Sequence, residues 1–310
     1  MKKRYFYFIC LALVFIAATP NFATLSKTLD FSSGDLSFWK EILKKSVPFA
    51  LMLVFTGLYV NADTVLLSKF KSDQVVGLYN AANRLVLAGK MIPGMIVPAL
   101  FPIMAEVSKG SQLEFNRFLG KSAVLLFSLA LPIAVGTTLL ADRIIGFIYG
   151  SKFIGSIPCL QILIWGMFFM YISIVLGFGL ISKGKQKVNT FITGLGLGIS
   201  LILNFFLIPK WGNIGTSIAI LTTEFFVMIA VMFYARKLLG FDLRGPRASI
   251  FKVVVSTLIM TVVVYLTREL NLFFCVGAGI ASYLVALFSL GGLYDYDFYK
   301  LKDLILARTE

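Results

Sequence analysis

Long apolar blocks dominate the chain, in place of the short alternation of apolar and polar residues that marks a soluble domain. A block of about 20 apolar residues crosses the hydrocarbon core of a bilayer as a helix. Five such blocks carry no charge, at residues 5–26, 122–141, 157–182, 188–209 and 270–294. Four more carry one or two charges, at residues 46–68, 76–105, 211–235 and 249–267. The pattern therefore predicts an all-α fold, a polytopic transmembrane helical bundle of eight or nine spans.

The composition agrees with a membrane protein. Of the 310 residues, 58% are hydrophobic and only 14% are charged, whereas soluble domains are nearer half apolar and a quarter charged. The net charge of +14 does not indicate a nucleic-acid partner, because the charges lie in short loops and no basic face with interleaved aromatic residues appears on a soluble segment.

The loop charges predict the orientation of the chain, since Lys and Arg favour the cytoplasmic side of short loops. One alternating set of loops holds 17 Lys and Arg residues and the other holds nine. The richer set comprises residues 26–45, 106–121, 183–187, 236–248 and 294–310. We therefore expect a multi-pass protein of the cytoplasmic (inner) membrane with a cytoplasmic C-terminus.

The N-terminal 26 residues do not fit this rule, because nine spans would put the basic residues 1–4 outside. Three interpretations remain open: the block at 5–26 does not span, it is the last helix of a missing lobe, or it is a signal-like segment. Residues 27–45 follow as a polar, amphipathic connector on the cytoplasmic side, with Trp39 as an interfacial anchor.

Neither catalysis nor a bound cofactor is expected. The chain has no histidine, and its loops hold little beyond Lys, Arg and Gly that would suit catalysis. Its cysteines, Cys10, Cys159 and Cys275, lie in or beside apolar blocks without CxxC spacing, so neither a disulfide framework nor a metal site is predicted.

Two charged residues near one predicted hairpin raise the question of function. Asp63 lies about 8 Å and Arg84 about 12 Å below the outer end of their spans, at 1.5 Å per residue. The two side chains could form an ion pair that lowers the cost of both charges. Alternatively, they line a water-filled cavity, the usual role of ionisable residues inside a membrane.

Lys90 and Glu224 favour the cavity, because both lie near the middle of their spans. We expect Arg84 and Lys90 to bind an anionic passenger, together with Asn80 and Asn83. We expect Asp63 and Glu224 to couple transport to a proton or a sodium ion. Asn204 adds a further hydrogen-bonding group.

Proline and glycine positions predict irregular helices. The block at 76–105 contains Pro93, Pro98 and Pro102, and proline removes a helical hydrogen bond and kinks the helix. A broken span indicates either a transport path or a kink that fits one helix around another. The spacing of Gly194 and Gly198 is typical of close helix contact.

Several segments resemble a known family. SVPFALMLVFTGLYVNADTVLLSKF, VGLYNAANRL and ALFPIMAEV occur in that order, followed by FIYGSKFIGSIPCLQILIWG, ISKGKQK and NFFLIPKWGNIGTSIAILTTE. This order resembles the second half of Wzx-type oligosaccharide flippases of the multidrug/oligosaccharidyl-lipid/polysaccharide exporter superfamily. The resemblance covers about residues 36–240.

The resemblance implies two six-helix lobes around a central cavity and alternating access. The implied passenger is a lipid-linked oligosaccharide, a sugar repeat unit on a polyprenyl pyrophosphate, moved to the outer leaflet for polysaccharide biosynthesis. By position in this sequence, Arg84 and Lys90 are the candidates to meet the pyrophosphate or acidic sugars.

The span count departs from the family, whose members usually have about twelve to fourteen spans. Residues 46–240 are expected to form one six-helix lobe, and residues 241–310 two further helices and a cytoplasmic tail. The first lobe is expected to be missing or supplied by a partner chain, which leaves a truncated or inactive protein as an alternative.

Two other functions remain open at this stage. A multidrug or lipid exporter of the same superfamily would share the fold. A membrane enzyme of polysaccharide assembly, such as a polymerase, belongs to another class. Such enzymes tend to carry a large outer loop, and no predicted outer loop here exceeds about 15 residues.

Overall fold

The computed structural model describes residues 62–242 and 247–292. The predicted block at 5–26, the connector at 27–45, most of the span at 46–68 and the C-terminal tail lie outside these residues. Within the described ranges the structure contains helices and no strand, which confirms the all-α fold. Six helices are long and apolar enough to cross a membrane.

The helices follow the predicted apolar blocks but extend beyond them into the polar flanks. A helical segment at 62–70 precedes α1. The membrane-length helices are α1 (Asp73–Val107), α2 (Gln112–Tyr149), α3 (Ile157–Ser182), α4 (Gln186–Leu239), α5 (Arg247–Leu266) and α6 (Leu272–Ser289), and a short 3-10 helix (Ser151–Ser156) joins α2 to α3.

The element α4 contains two helices, because its backbone breaks at Gly212. Gly212 has φ 55° and ψ −127°, a conformation that is open to glycine and strained for other residues. A Cβ atom added to Gly215 would clash with the carbonyl of Leu207, so the chain folds back on itself here. We call the two arms α4a (186–211) and α4b (213–239), and they correspond to the spans predicted at 188–209 and 211–235.

The arms of α4 pack closely at a glycine that the sequence pattern did not single out. A Cβ atom on Gly196 would lie 2.7 Å from Cγ2 of Val227. By contrast, a Cβ atom on Gly194 or Gly198 would meet no described atom within 4 Å. The close contact predicted at Gly194 and Gly198 is therefore not found among the described residues, and Gly196 makes the contact between the two arms.

Two hydrophobic cores hold the described helices together. The larger one joins the segment 62–70 and helices α1 to α4, with Tyr79, Phe115 and Tyr171 among its largest fully buried side chains. A smaller core, around Met260 and Tyr283, packs α5 and α6 against α2. Helices α5 and α6 therefore form a separate pair beside the main bundle.

Polar side chains fasten the two ends of the bundle. At the end that carries the α1–α2 and α3–α4 loops, the Lys183 ammonium donates to the Ser108 carbonyl over 2.6 Å and lies over the Phe115 ring. At the opposite end, the Lys71 ammonium donates to the Pro209 carbonyl over 2.9 Å, and the Arg143 guanidinium donates to carbonyls of the α5–α6 turn. These contacts join the ends of neighbouring helices.

Candidate functional site

Asp63 is the centre of a polar cluster inside the bundle. Its Oδ1 atom accepts a hydrogen bond of 2.7 Å from Nδ2 of Asn204 and one of 3.3 Å from the hydroxyl of Ser200. Ser200 and Asn204 are one turn apart on α4a, so both side chains reach the carboxylate from the same face. The Asn204 amide also donates to the Ser200 carbonyl and hydroxyl. The carboxylate is therefore held by side chains of a different helix.

Two further polar atoms on α4 lack partners among the described residues. The side chain of Asn204 is fully buried, and its Oδ1 atom accepts no hydrogen bond. The hydroxyl oxygen of Thr223 on α4b, which precedes Glu224 in the chain, is buried and unpartnered as well. Buried polar atoms are ordinarily satisfied, so each such exception is informative. The carboxylate of Asp63 and the amide oxygen of Asn204 are oxygen ligands of the kind that hard cations prefer.

Lys90 lies within electrostatic range of two acidic groups. Its charge interacts electrostatically with Asp63 on the segment 62–70 and with Glu224 on α4b. Lys90 and Glu224 are both half-buried, and neither forms an ion pair or a hydrogen bond within the part of the chain that the structure describes. The structure thus brings Asp63, Lys90 and Glu224 into one electrostatic cluster, which we call the charged cluster.

Arg84 lies apart from the charged cluster. Its side chain is exposed, and residues six apart on a helix are about 120° apart around its axis. Arg84 and Lys90 therefore occupy different faces of α1. Of the two alternatives for Asp63 and Arg84, the ion pair does not form, because Asp63 is held by Ser200 and Asn204. An ion pair does form between Asp142 and Arg268, at 2.6 Å.

The predicted asparagines on α1 have different surroundings. The Oδ1 atom of Asn80 accepts a hydrogen bond of 3.3 Å from the hydroxyl of Thr64, which is next to Asp63 in the chain. Asn83 is half-buried and forms no hydrogen bond through its side chain among the described residues. Asn80 thus lies beside the charged cluster, whereas Asn83 makes no polar contact with it.

Sequence reasoning missed Ser200, Thr64 and Thr223 as members of the site. Hydroxyl side chains are common in membrane helices, where they usually donate to a carbonyl of the preceding turn, so their presence alone is uninformative. A usable signal was the spacing of Ser200 and Asn204, which puts two polar groups on one face of an otherwise apolar arm.

The comparisons with known proteins agree with the fold. A family described as "Polysaccharide biosynthesis protein" matches residues 5–108. A capsular polysaccharide biosynthesis protein, CapF, from Staphylococcus aureus is 21% identical, over 74% of this chain and 59% of its own length. A putative O-antigen transporter from Shigella dysenteriae is 28% identical, over 61% of this chain and 48% of its own length.

Among solved structures, a lipid II flippase, MurJ, in an inward closed conformation matches with a TM-score of 0.69 and 18% identity. The match covers 86% of this chain and 57% of that structure.

The fold and these comparisons define a multi-pass helical membrane protein. The resemblance to polysaccharide flippases of the multidrug/oligosaccharidyl-lipid/polysaccharide exporter superfamily is confirmed. It spans about half the length of the curated relatives that it matches.

Proposed function

We propose that the protein takes part in moving a polyprenyl-pyrophosphate-linked oligosaccharide across the cytoplasmic membrane during surface polysaccharide biosynthesis. The observation that carries this proposal is the charged cluster of Asp63, Lys90 and Glu224 among membrane-length helices. A chain that only anchored something in the membrane would have no need of these charges, which are costly in hydrocarbon.

In this proposal Lys90 is the principal cationic contact for the anionic passenger. A lysine ammonium binds a phosphate as a point charge, and at Lys90 the neighbouring carboxylates of Asp63 and Glu224 compete for it. A passenger that binds must therefore draw Lys90 away from the carboxylates. Arg84, with Asn80 and Asn83, would contact the passenger from other positions on α1.

Asp63 and Glu224 are proposed to couple transport to a proton or a sodium ion. When a cation neutralises these carboxylates, it weakens their attraction for Lys90, and the ammonium becomes free to bind an anion. The buried, unpartnered Oδ1 atom of Asn204, whose amide nitrogen donates to Asp63, supports a cation at this position. Coupling then follows from competition between a cation and Lys90 for the same carboxylates.

The basic end of the bundle is proposed to face the cytoplasm. This end carries a group of exposed cations and the polar contacts of Ser108 and Lys183. The exposed cations are Lys109, Arg117, Lys121, Lys185, Lys187, Arg236 and Lys237. Residues 46–240 would form one lobe of a two-lobed cavity, and the other lobe would come from further polypeptide or a partner chain.

The passenger can be tested in membrane vesicles that contain the protein as the cell makes it. The probes are a fluorescent polyprenyl-pyrophosphate disaccharide and a lipophilic cationic dye. We expect the protein to move the disaccharide lipid to the opposite leaflet and to leave the dye where it is. Export of the dye without movement of the lipid would replace this proposal with a multidrug exporter.

A further inference from the structure

Helix α1 contains a proline three residues after Lys90 and remains helical through it. Pro93 lies inside α1 and has no backbone N–H. In a regular helix the N–H of residue 93 would donate to the carbonyl of residue 89, four positions earlier. The Gly89 carbonyl, immediately before Lys90, therefore loses its ordinary helical partner. In a membrane such a group needs another donor, because the hydrocarbon supplies none.

The donor comes from α3. The hydroxyl of Tyr171 donates to the Gly89 carbonyl over 2.7 Å, and the Tyr171 side chain is fully buried. The two helices are also in close contact here, since a Cβ atom on Gly89 would lie 2.5 Å from the sulfur of Met167. Helix α1 is thus fixed to α3 at the residue that precedes Lys90.

The same arrangement occurs a second time, far from the charged cluster. Pro132 lies inside α2, and the carbonyl four residues earlier is that of Ser128. The hydroxyl of Tyr283 on α6 donates to this carbonyl over 2.6 Å. In both cases a buried tyrosine on a neighbouring helix bonds the carbonyl that a proline leaves free. Tyr283 therefore provides a matched comparison for Tyr171 within the same molecule.

We propose that Tyr171 is a positioning residue for Lys90. Its hydrogen bond fixes α1 to α3 at the carbonyl that Pro93 leaves free, and this holds the Lys90 ammonium toward Asp63 and Glu224. The proposal rests on the proposed role of Lys90 in binding the passenger. Without the hydroxyl, the Gly89 carbonyl loses this donor, α1 is no longer fixed to α3 beside Lys90, and Lys90 changes its distance from the two carboxylates.

The first test measures the position of Lys90 without any passenger. In the full-length protein in membranes, brief labelling with an amine-reactive reagent followed by mass spectrometry gives the labelling rate of Lys90. Tyr171→Phe removes one hydroxyl and keeps the ring. We expect it to raise the Lys90 rate by about fivefold, the factor for one lost hydrogen bond, while Tyr283→Phe leaves the rate unchanged. Equal rates in the two variants would overturn the proposal.

A second variant keeps the test decisive if Tyr171→Phe does not accumulate in the membrane. Pro93→Ala restores the N–H that bonds the Gly89 carbonyl inside α1, so the hydroxyl of Tyr171 is no longer needed. We expect the Pro93→Ala and Pro93→Ala/Tyr171→Phe proteins to label at Lys90 equally. If adding Tyr171→Phe raises the labelling rate in this background as well, the hydroxyl does not act by bonding the Gly89 carbonyl that Pro93 leaves free.

A transport measurement separates this proposal from the proposed function. With the fluorescent disaccharide lipid as the probe, Tyr171→Phe should raise the apparent KM about fivefold and leave the maximal rate almost unchanged, as expected for a misplaced binding group. Tyr283→Phe should change neither value. If the unaltered protein moves no lipid but Lys90 labelling still responds to Tyr171→Phe, the positioning role stands and the proposed function fails. If lipid moves normally in Tyr171→Phe, the positioning role fails.

Discussion

At the scale of single residues, the carboxylate of Asp63 is stabilised by hydrogen bonds from Ser200 and Asn204 and by the charge of Lys90. The sequence suggested an arginine partner because Arg84 lies at a similar depth on the neighbouring span. The observed partners, Ser200 and Asn204, are more than 130 positions away along the chain. Depth along a span can be estimated from residue spacing, but the choice of partner depends on which helices are neighbours. No spacing rule supplies that information.

The contact between Asn204 and Asp63 predicts a measurable loss of stability. Asn204→Ala removes a hydrogen bond to a carboxylate and leaves that carboxylate with Ser200 alone. We expect the free energy of unfolding to fall by about 1.5–3 kcal/mol, the usual range for a hydrogen bond to a charged group. Asn83→Ala is the control, since Asn83 makes no such contact. Unfolding in detergent with increasing denaturant measures both, and an equal loss in the two variants would contradict the assignment.

The different faces of α1 predict different effects for its two cations. Lys90 belongs to the charged cluster and Arg84 does not. Removing Lys90 should therefore weaken binding of the anionic passenger more than removing Arg84 does. We expect Lys90→Ala to raise the apparent KM for the disaccharide lipid at least tenfold, equivalent to about 1.4 kcal/mol. Arg84→Ala should have a smaller effect. The reverse order would show that Arg84 is the main contact.

At the scale of the elements, the sequence predicted the membrane-length helices well, because a run of apolar residues is a direct physical requirement of spanning a bilayer. The sequence did not predict which glycine makes a close contact between helices. Gly194, Gly196 and Gly198 lie within five residues on one arm, and only the position of the neighbouring arm decides that Gly196 is the one in close contact. The sequence showed which prolines leave a helical carbonyl free, but it did not show that tyrosines of neighbouring helices bond those carbonyls. The break predicted in block 76–105 is not found, because α1 stays helical through its prolines.

The fold-back of α4 predicts a large difference between two glycine substitutions. A Cβ atom on Gly215 would clash with the backbone of Leu207, which cannot move without opening the turn at Gly212. We expect Gly215→Ala to lower the free energy of unfolding by about 1–3 kcal/mol, as overpacking does elsewhere. Gly198→Ala should be neutral or slightly stabilising, because alanine favours helix. Thermal unfolding of the two proteins in detergent would reveal the difference, and similar values would rule out the tight turn.

At the scale of the whole molecule, the orientation follows from charge and can be tested directly. Lys185 is exposed at the basic end, and Glu269 is exposed in the α5–α6 turn at the opposite end. In intact cells, an impermeant thiol reagent should label Glu269→Cys and should label Lys185→Cys only after the membrane is opened. Labelling of Lys185→Cys in intact cells would reverse the proposed orientation.

The relation between the molecule and its relatives could be predicted only in part. The order of short motifs along the chain carried the resemblance to flippases, and the fold agrees with it. The set of residues that form the site could not be predicted from motif order. It combines the segment 62–70, α1, α4a and α4b, and the contacts between them depend on packing across the whole bundle.

The most direct test of the account compares two lysines. Movement of the fluorescent polyprenyl-pyrophosphate disaccharide between leaflets would be measured in vesicles that contain equal amounts of the unaltered protein, Lys90→Ala or Lys187→Ala. Lys187 is exposed at the basic end and takes no part in the charged cluster. The account predicts near-normal movement with Lys187→Ala and a rate at least tenfold lower with Lys90→Ala at low lipid concentration. Equal rates in all three would contradict a role for the charged cluster in transport.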